Sequence, residues 1–117
     1  MYKMLLALVL SVIGQVPTLV NAVELTPDGR FPSNDSLCGL IVSMQAELVM
    51  SSRQLGKPIS DVITMAEDSD EKFGWGTMKE MVLAAYELPR WNTVENRMKA
   101  VEDFSNDWTL ACYKAQR

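Results

Sequence analysis

The chain has 117 residues, with 15 acidic and 11 basic side chains, no histidine and a net charge of −4 at neutral pH. An acidic chain of this size suits one domain and argues against general affinity for nucleic acid or anionic membranes, both of which favour basic surfaces. Without histidine, Ser-His-Asp and Cys-His nucleophile systems, HExxH zinc sites and most transition-metal sites are excluded.

The first 22 residues, MYKMLLALVLSVIGQVPTLVNA, read as a secretory signal peptide. Lys3 supplies a positive start, and Met4 to Ile13 form an apolar run too short to cross a bilayer comfortably. Gly14, Gln15 and Pro17 break that run. Val20 and Ala22 occupy the small-residue positions of a cleavage site, which places the cut after Ala22. An uncleaved leader kept as a membrane anchor is the competing reading. Cleavage leaves 95 residues and a net charge of −5, because Lys3 departs with the leader.

Residues 23–35 are rich in proline, glycine and polar side chains and are expected to form an irregular N-terminal arm. A helical domain is expected over 36–117. Its first helix starts near Ser36, where Asn34, Asp35 and Ser36 all offer capping oxygens, and stops at Gly56 before Lys57-Pro58. Leu37, Leu40, Ile41, Met44, Leu48 and Leu55 recur at helical spacing and form the main apolar stripe. Val42, Ala46, Val49 and Met50 form a second strip facing roughly the other way, leaving Ser43, Glu47 and Gln54 on a narrow polar edge. A helix apolar on both sides belongs in the middle of a bundle or against a partner.

Ser60 is expected to cap a short second helix carrying Val62, Ile63, Met65 and Ala66, followed by the acidic segment EDSDEKFGWGT as a loop. Thr77 and Glu80 have capping-box spacing and open a third helix, with Met78, Met81, Val82 and Ala85 on its inner face and Pro89 beyond its end. Thr93 caps a long last helix whose stripe is Val94, Met98, Val101, Trp108 and Cys112, flanked by Phe104 and Ala111. No segment alternates long enough for a strand. The expected fold class is all-α, a small bundle of three to four helices with the first and last antiparallel.

Cys38 and Cys112 are the two cysteines of the chain. An exported protein sees an oxidising compartment, which favours their pairing. Cys38 opens the first long helix and Cys112 lies near the end of the last, so antiparallel packing brings them together in one disulfide. A lipid anchor on Cys38 is excluded, because such a cysteine directly follows the apolar run and small residues, whereas Asp35, Ser36 and Leu37 precede this one, well downstream of Ile13.

Carboxylates are the remaining catalytic option. Asp68 and Asp70 match the first and third positions of a calcium loop, but Lys72 falls at the fifth and Gly74 arrives one place late. No phosphate-cradling motif occurs. The chain is therefore not expected to be an enzyme, to bind a metal or to need a cofactor. Aromatic residues at two turns are the candidate partner contacts: Phe73 and Trp75 in FGWGT, and Arg90 and Trp91 in YELPRWNT. For Trp75 the other reading is a buried plug at the end of the bundle, and for Trp91 a hydrophobic staple ahead of Thr93.

A cysteine opening a helix behind a leader, SSRQLGKPIS, AAYELP and a final ACYKA together resemble small exported helical proteins of bacteria and their phages, over Cys38 to Ala115. The resemblance implies a bacterial or phage origin and an envelope location, and carries no activity or functional residue. Periplasmic immunity proteins share the size, export and helical character but usually carry more cysteines. The expected function is that of a periplasmic or secreted interaction protein that binds another cell-envelope protein, as an inhibitor, an immunity factor or a phage-encoded modulator does. A carrier holding a small apolar ligand among Met44, Met78, Met81 and Met98 is the alternative.

Overall fold

A computed structural model describes residues 24–117, so the leader and its cleavage lie outside the described residues. Four helices follow one another. The first, α1, is continuous through Asp35–Leu37, a π-helical turn Cys38–Val42, and Ser43–Gln54. Then come α2 (Ile59–Phe73), α3 (Thr77–Tyr86) and α4 (Val94–Ala115). Among the described residues there is no strand beyond an isolated bridge between Leu25 and Pro32, and no helix is long and apolar enough to cross a membrane.

α1 lies at the centre, packed on α4 and α3, while α2 packs mainly on α3. Cys38 is disulfide-bonded to Cys112 with their Cα atoms 5.6 Å apart. Further along the same seam the Ser105 hydroxyl donates to the Ser43 carbonyl, which makes α1 and α4 antiparallel. The all-α bundle stapled from first helix to last is therefore present. At the seam's start the Ser43 N–H reaches back to the Cys38 carbonyl, a five-residue spacing that widens the turn.

The disulfide sets which face of α1 turns inward. Residues four, eight, eleven and twelve positions beyond Cys38 share its side of a helix. Those are Val42, Ala46, Val49 and Met50, and all are buried. The main apolar stripe of hydrophobic spacing is thus not the inward one. Leu40, Met44, Leu48 and Leu55 lie outside, because they stand on the side opposite the half-cystine. Gln54 also leaves the expected polar edge. Its side chain is buried, with Nε2 donating to the Pro89 carbonyl and Oε1 accepting from the Trp91 N–H, so it clasps the α3–α4 turn.

α2 runs fifteen residues and takes in the acidic segment expected to be a loop. No helix breaker precedes Gly74, which ends the helix at φ +85°, and Asp68 and Lys72 form an i,i+4 ion pair at 3.0 Å on the wet side. Pro58, not Ser60, stands at its N-cap. Asp68 and Asp70 thus sit on a helix rather than in a calcium-type loop.

The capping box at α3 is likewise replaced. Thr77 is the first helical residue, and its hydroxyl donates to the Arg30 carbonyl. The two exposed amides of α3 go instead to Asp70 of α2, with Met78 N–H and Lys79 N–H donating to its two oxygens at 3.0 and 3.1 Å. A carboxylate at a helix N-terminus is favoured by the helix dipole. Burial nevertheless holds the Asp70 carboxyl above the ordinary aspartate range, with Glu80 and Glu67 acting in the same direction and the two amide hydrogen bonds opposing.

The N-terminal arm is irregular but docked. Its turn is closed by Thr26 N–H donating to the Phe31 carbonyl and Ser33 N–H to the Glu24 carbonyl. Phe31 is fully buried beside Trp108, with ring centroids 6.4 Å apart. Arg30 pairs with Glu80 at 2.8 Å, and Gln116 Nε2 donates to the Pro32 carbonyl. At the far end, Thr93 caps α4 as expected, accepting from the Asn96 N–H. Only the later part of α4's stripe is covered: Phe104 and Cys112 are buried, while Val94 and Met98 stay exposed.

Candidate interaction surface

Three large side chains of α1, and Leu55 just past its end, point away from the core. Leu40, Met44, Leu48 and Leu55 are between 47% and 67% exposed. They recur at intervals of four, four and seven residues, so they form one ridge along the outer side of the helix. At 1.5 Å per residue the ridge is about 22 Å long.

A groove lies on each side of this ridge. Toward α2 and α3 it has a volume of about 480 Å³ and an apolar lining that includes Met44, Leu48, Met65, Phe73 and Met78. Methionine-rich grooves re-pack around differing apolar surfaces because the side chain is unbranched and polarizable. Gln45 sits at the floor, with Nε2 donating to the Ser69 hydroxyl at 3.4 Å and its buried Oε1 lacking any partner. Toward α4 the groove holds about 370 Å³ and is lined by Glu47, Ser51, Met98, Val101, Glu102 and neighbouring polar groups.

The four residues singled out for partner contact do not form one surface. Phe73 lies on the apolar groove, 39% exposed, with its ring 5.1 Å from that of Trp75. Trp75 itself is only 3% exposed, so it is an interior plug and not a surface anchor. The glycines on either side that suggested a free-swinging loop instead end α2 and open α3, which folds the indole inward.

Arg90 and Trp91 stand at the other end of α3, about 15 Å away by helix rise. Arg90 Nε donates to the Gln54 carbonyl, and its guanidinium lies against Gly56, so the side chain braces the turn. Trp91 is 43% exposed and its carbonyl accepts from Arg97 Nε at 2.7 Å. Its ring borders a separate cavity of about 230 Å³ between Met50, Pro89 and Phe104.

The four methionines considered for a ligand cavity are also dispersed. Met44 and Met78 share the apolar groove, Met98 lines the groove on the other side of α1, and Met81 is core. They enclose no common space. Among the described residues no group of three or more acidic or cysteine side chains has the arrangement of a metal site.

Hydrophobic spacing alone left open which strip of α1 faces outward. The available signal was Cys38: had the half-cystine been used to set the phase of α1, Leu40, Met44 and Leu48 would have fallen outside. Fold and surface together define, among the described residues, a disulfide-stapled four-helix domain with an outward apolar ridge on α1. Compared with protein-family models, curated proteins and solved structures, the chain matches none.

Proposed function

We propose that this chain is an exported, non-enzymatic interaction protein that binds another protein of the cell envelope and acts by occupying its surface. The observation that carries the reading is the outer ridge of α1 with the apolar groove beside it. Exposed apolar patches of this kind, rimmed by polar residues, mark protein interaction sites. Phe73 supplies the aromatic contact within the groove, and the conformational freedom of Met44, Met65 and Met78 lets the groove fit a helix or an extended segment. Export rests on the leader, and the disulfide accords with an oxidising compartment.

The test is capture of envelope proteins by the oxidised chain, with Met44→Asp/Leu48→Asp as the control variant. Both side chains are exposed, so the variant keeps its core. A dominant partner held by the parent protein and lost with the variant is expected. Equal recovery by both would refute the assignment of the face. N-terminal sequencing of the exported product, with membrane fractionation, separates a cleaved protein from one that keeps its leader as an anchor.

A further inference from the structure

We propose that the partner segment seated on the α1 ridge is a cationic amphipathic helix. The inference rests on the reading above that this face docks a protein, and it names the chemistry of what docks. Its apolar side would cover Leu40, Met44, Leu48 and Leu55, while Lys or Arg side chains along one edge would reach Glu47 and Glu102.

Three observations carry it. The first is shape: Leu40, Met44 and Leu48 form a row at four-residue intervals, continued seven residues on by Leu55, and such rows pack into the grooves of another helix. A length of about 22 Å corresponds to four helical turns. A β-strand would match alternate residues on one line and finds no such line here.

The second is charge. Glu47 of α1 and Glu102 of α4 both line the groove beside the ridge, and no basic residue lines it. Neither carboxylate takes part in an ion pair among the described residues, where Arg30–Glu80 and Lys72–Asp68 are the pairs formed. Arg53, the basic residue of α1, is turned away: it donates to the Leu88 carbonyl and lies 5.1 Å from the centroid of the Tyr86 ring. Arg97 of α4 is held by the Trp91 carbonyl, and Lys99 lies off the lining. The groove on the α4 side of the ridge thus carries uncompensated negative charge on both walls, whereas in the apolar groove on the other side Lys72 is already paired with Asp68.

The third observation disposes of the other occupants. A second copy of the chain, paired antiparallel about a two-fold axis at mid-ridge, would set Glu47 beside its own counterpart. Like charges placed opposite each other at an interface are unfavourable. The chain's own first 23 residues are apolar enough to lie on the ridge but contain a single basic residue, Lys3, for two carboxylates. An anionic bilayer would be repelled by the same carboxylates.

The probe is a synthetic, amidated helix of about 18 residues, five turns, with leucine at the a, d and e positions and lysine along both edges. A second probe carries glutamate in place of every lysine. Binding of each to the oxidised full-length chain is measured by fluorescence anisotropy. The parent protein is expected to prefer the lysine helix. Glu47→Lys/Glu102→Lys is expected to weaken the lysine helix about tenfold and strengthen the glutamate helix about tenfold, which amounts to roughly 1.4 kcal/mol in each case. Met44→Asp/Leu48→Asp is expected to lose both probes.

Charge reversal that leaves the preference between the two helices unchanged would overturn the proposal. If the apolar variant still loses binding in that case, the docking face stands and only its charge selectivity falls. If neither variant changes binding, or if neither helix binds the parent, the docking face falls as well. A dimer seen by sedimentation in the parent and absent from Met44→Asp/Leu48→Asp would assign the ridge to a second copy and also overturn the proposal. Far-UV helicity and a free-thiol count confirm that each variant is folded and oxidised.

Discussion

The Cys38–Cys112 bond joins residues 74 apart in sequence and links the two ends of the α1–α4 seam. In the chain-entropy model, closing a loop of that length in the unfolded state raises stability by about 4 kcal/mol at 25 °C. A domain the size of the described region has a total stability of roughly 5–14 kcal/mol. The bond is therefore expected to supply between a third and most of what holds the fold. Cys38→Ala/Cys112→Ala removes it without leaving a buried hydroxyl or an unpaired thiol. Both sulfurs are wholly buried, so the small voids left behind add to the loss.

Urea unfolding of the parent, followed by circular dichroism with and without reductant and compared with the double-alanine variant, measures this directly. The reduced protein and the variant should both lose about 4 kcal/mol. Their m-values should rise, because an uncrosslinked unfolded chain exposes more surface. A loss under about 1 kcal/mol with an unchanged m-value would refute the reasoning. The seam would then be held by Val42, Ala46, Phe104 and their neighbours alone, and the bond would merely decorate a fold already made.

Three further outcomes follow from the contacts. Phe31→Ala should cost about 3 kcal/mol, the usual range for deleting a buried aromatic ring, and free the arm for tryptic cleavage after Arg30; resistance equal to that of the parent would show that the arm is held by its hydrogen bonds alone. Gly56→Ala should lower the thermal midpoint, with a cost above about 1 kcal/mol, because the residue sits at φ +77° and a Cβ there would meet the Arg90 Cζ at 2.7 Å; an unchanged midpoint would show that Arg90 moves aside freely. Asp70→Asn addresses pH dependence. The folded carboxyl holds its proton more tightly than the unfolded one, so its contribution is greatest when protonated and declines as pH rises above 3.8 through the raised folded value. The stability of the parent relative to Asp70→Asn should accordingly fall across that window, measured as urea midpoints at a series of pH values, and a difference that stays level or grows would contradict it.

Much of the architecture was legible in local signals. Thr93 capped α4, Gly56 ended α1, the inner face of α3 was read correctly, and the cysteines paired. Several of the misses involve a residue whose partner lies in another element. Thr77 and Glu80 have the spacing of a capping box, but Asp70 reached the α3 amides first, leaving Thr77 to hold the Arg30 carbonyl and Glu80 to pair with the Arg30 side chain. The segment EDSDEKFGWGT reads as a loop because it is acidic and glycine-spaced. On the outer side of α2 its charges cost little, and Asp68 and Lys72 support each other across one turn. Phe31 sat among turn residues, where nothing local marks a core aromatic.

The apolar excess of α1 is the most instructive case. Two strips of similar strength run along it, and hydrophobic spacing alone cannot rank them, since each has the helical period. A domain with three other helices, one of them only ten residues long, covers a single side. The choice falls to Cys38, because a covalent bond to Cys112 fixes the rotation of the helix about its axis, whereas either apolar strip has the pattern of a core face. The half-cystine that staples the domain therefore also selects its outward face. With Val42, Ala46 and Val49 drawn in, Leu40, Met44 and Leu48 are left out, together with Glu47 between them. The surface available to a partner is thus a consequence of where the disulfide enters α1. Moving that cysteine by two positions would turn the ridge inward and remove the proposed docking face while leaving the composition of the helix almost unchanged.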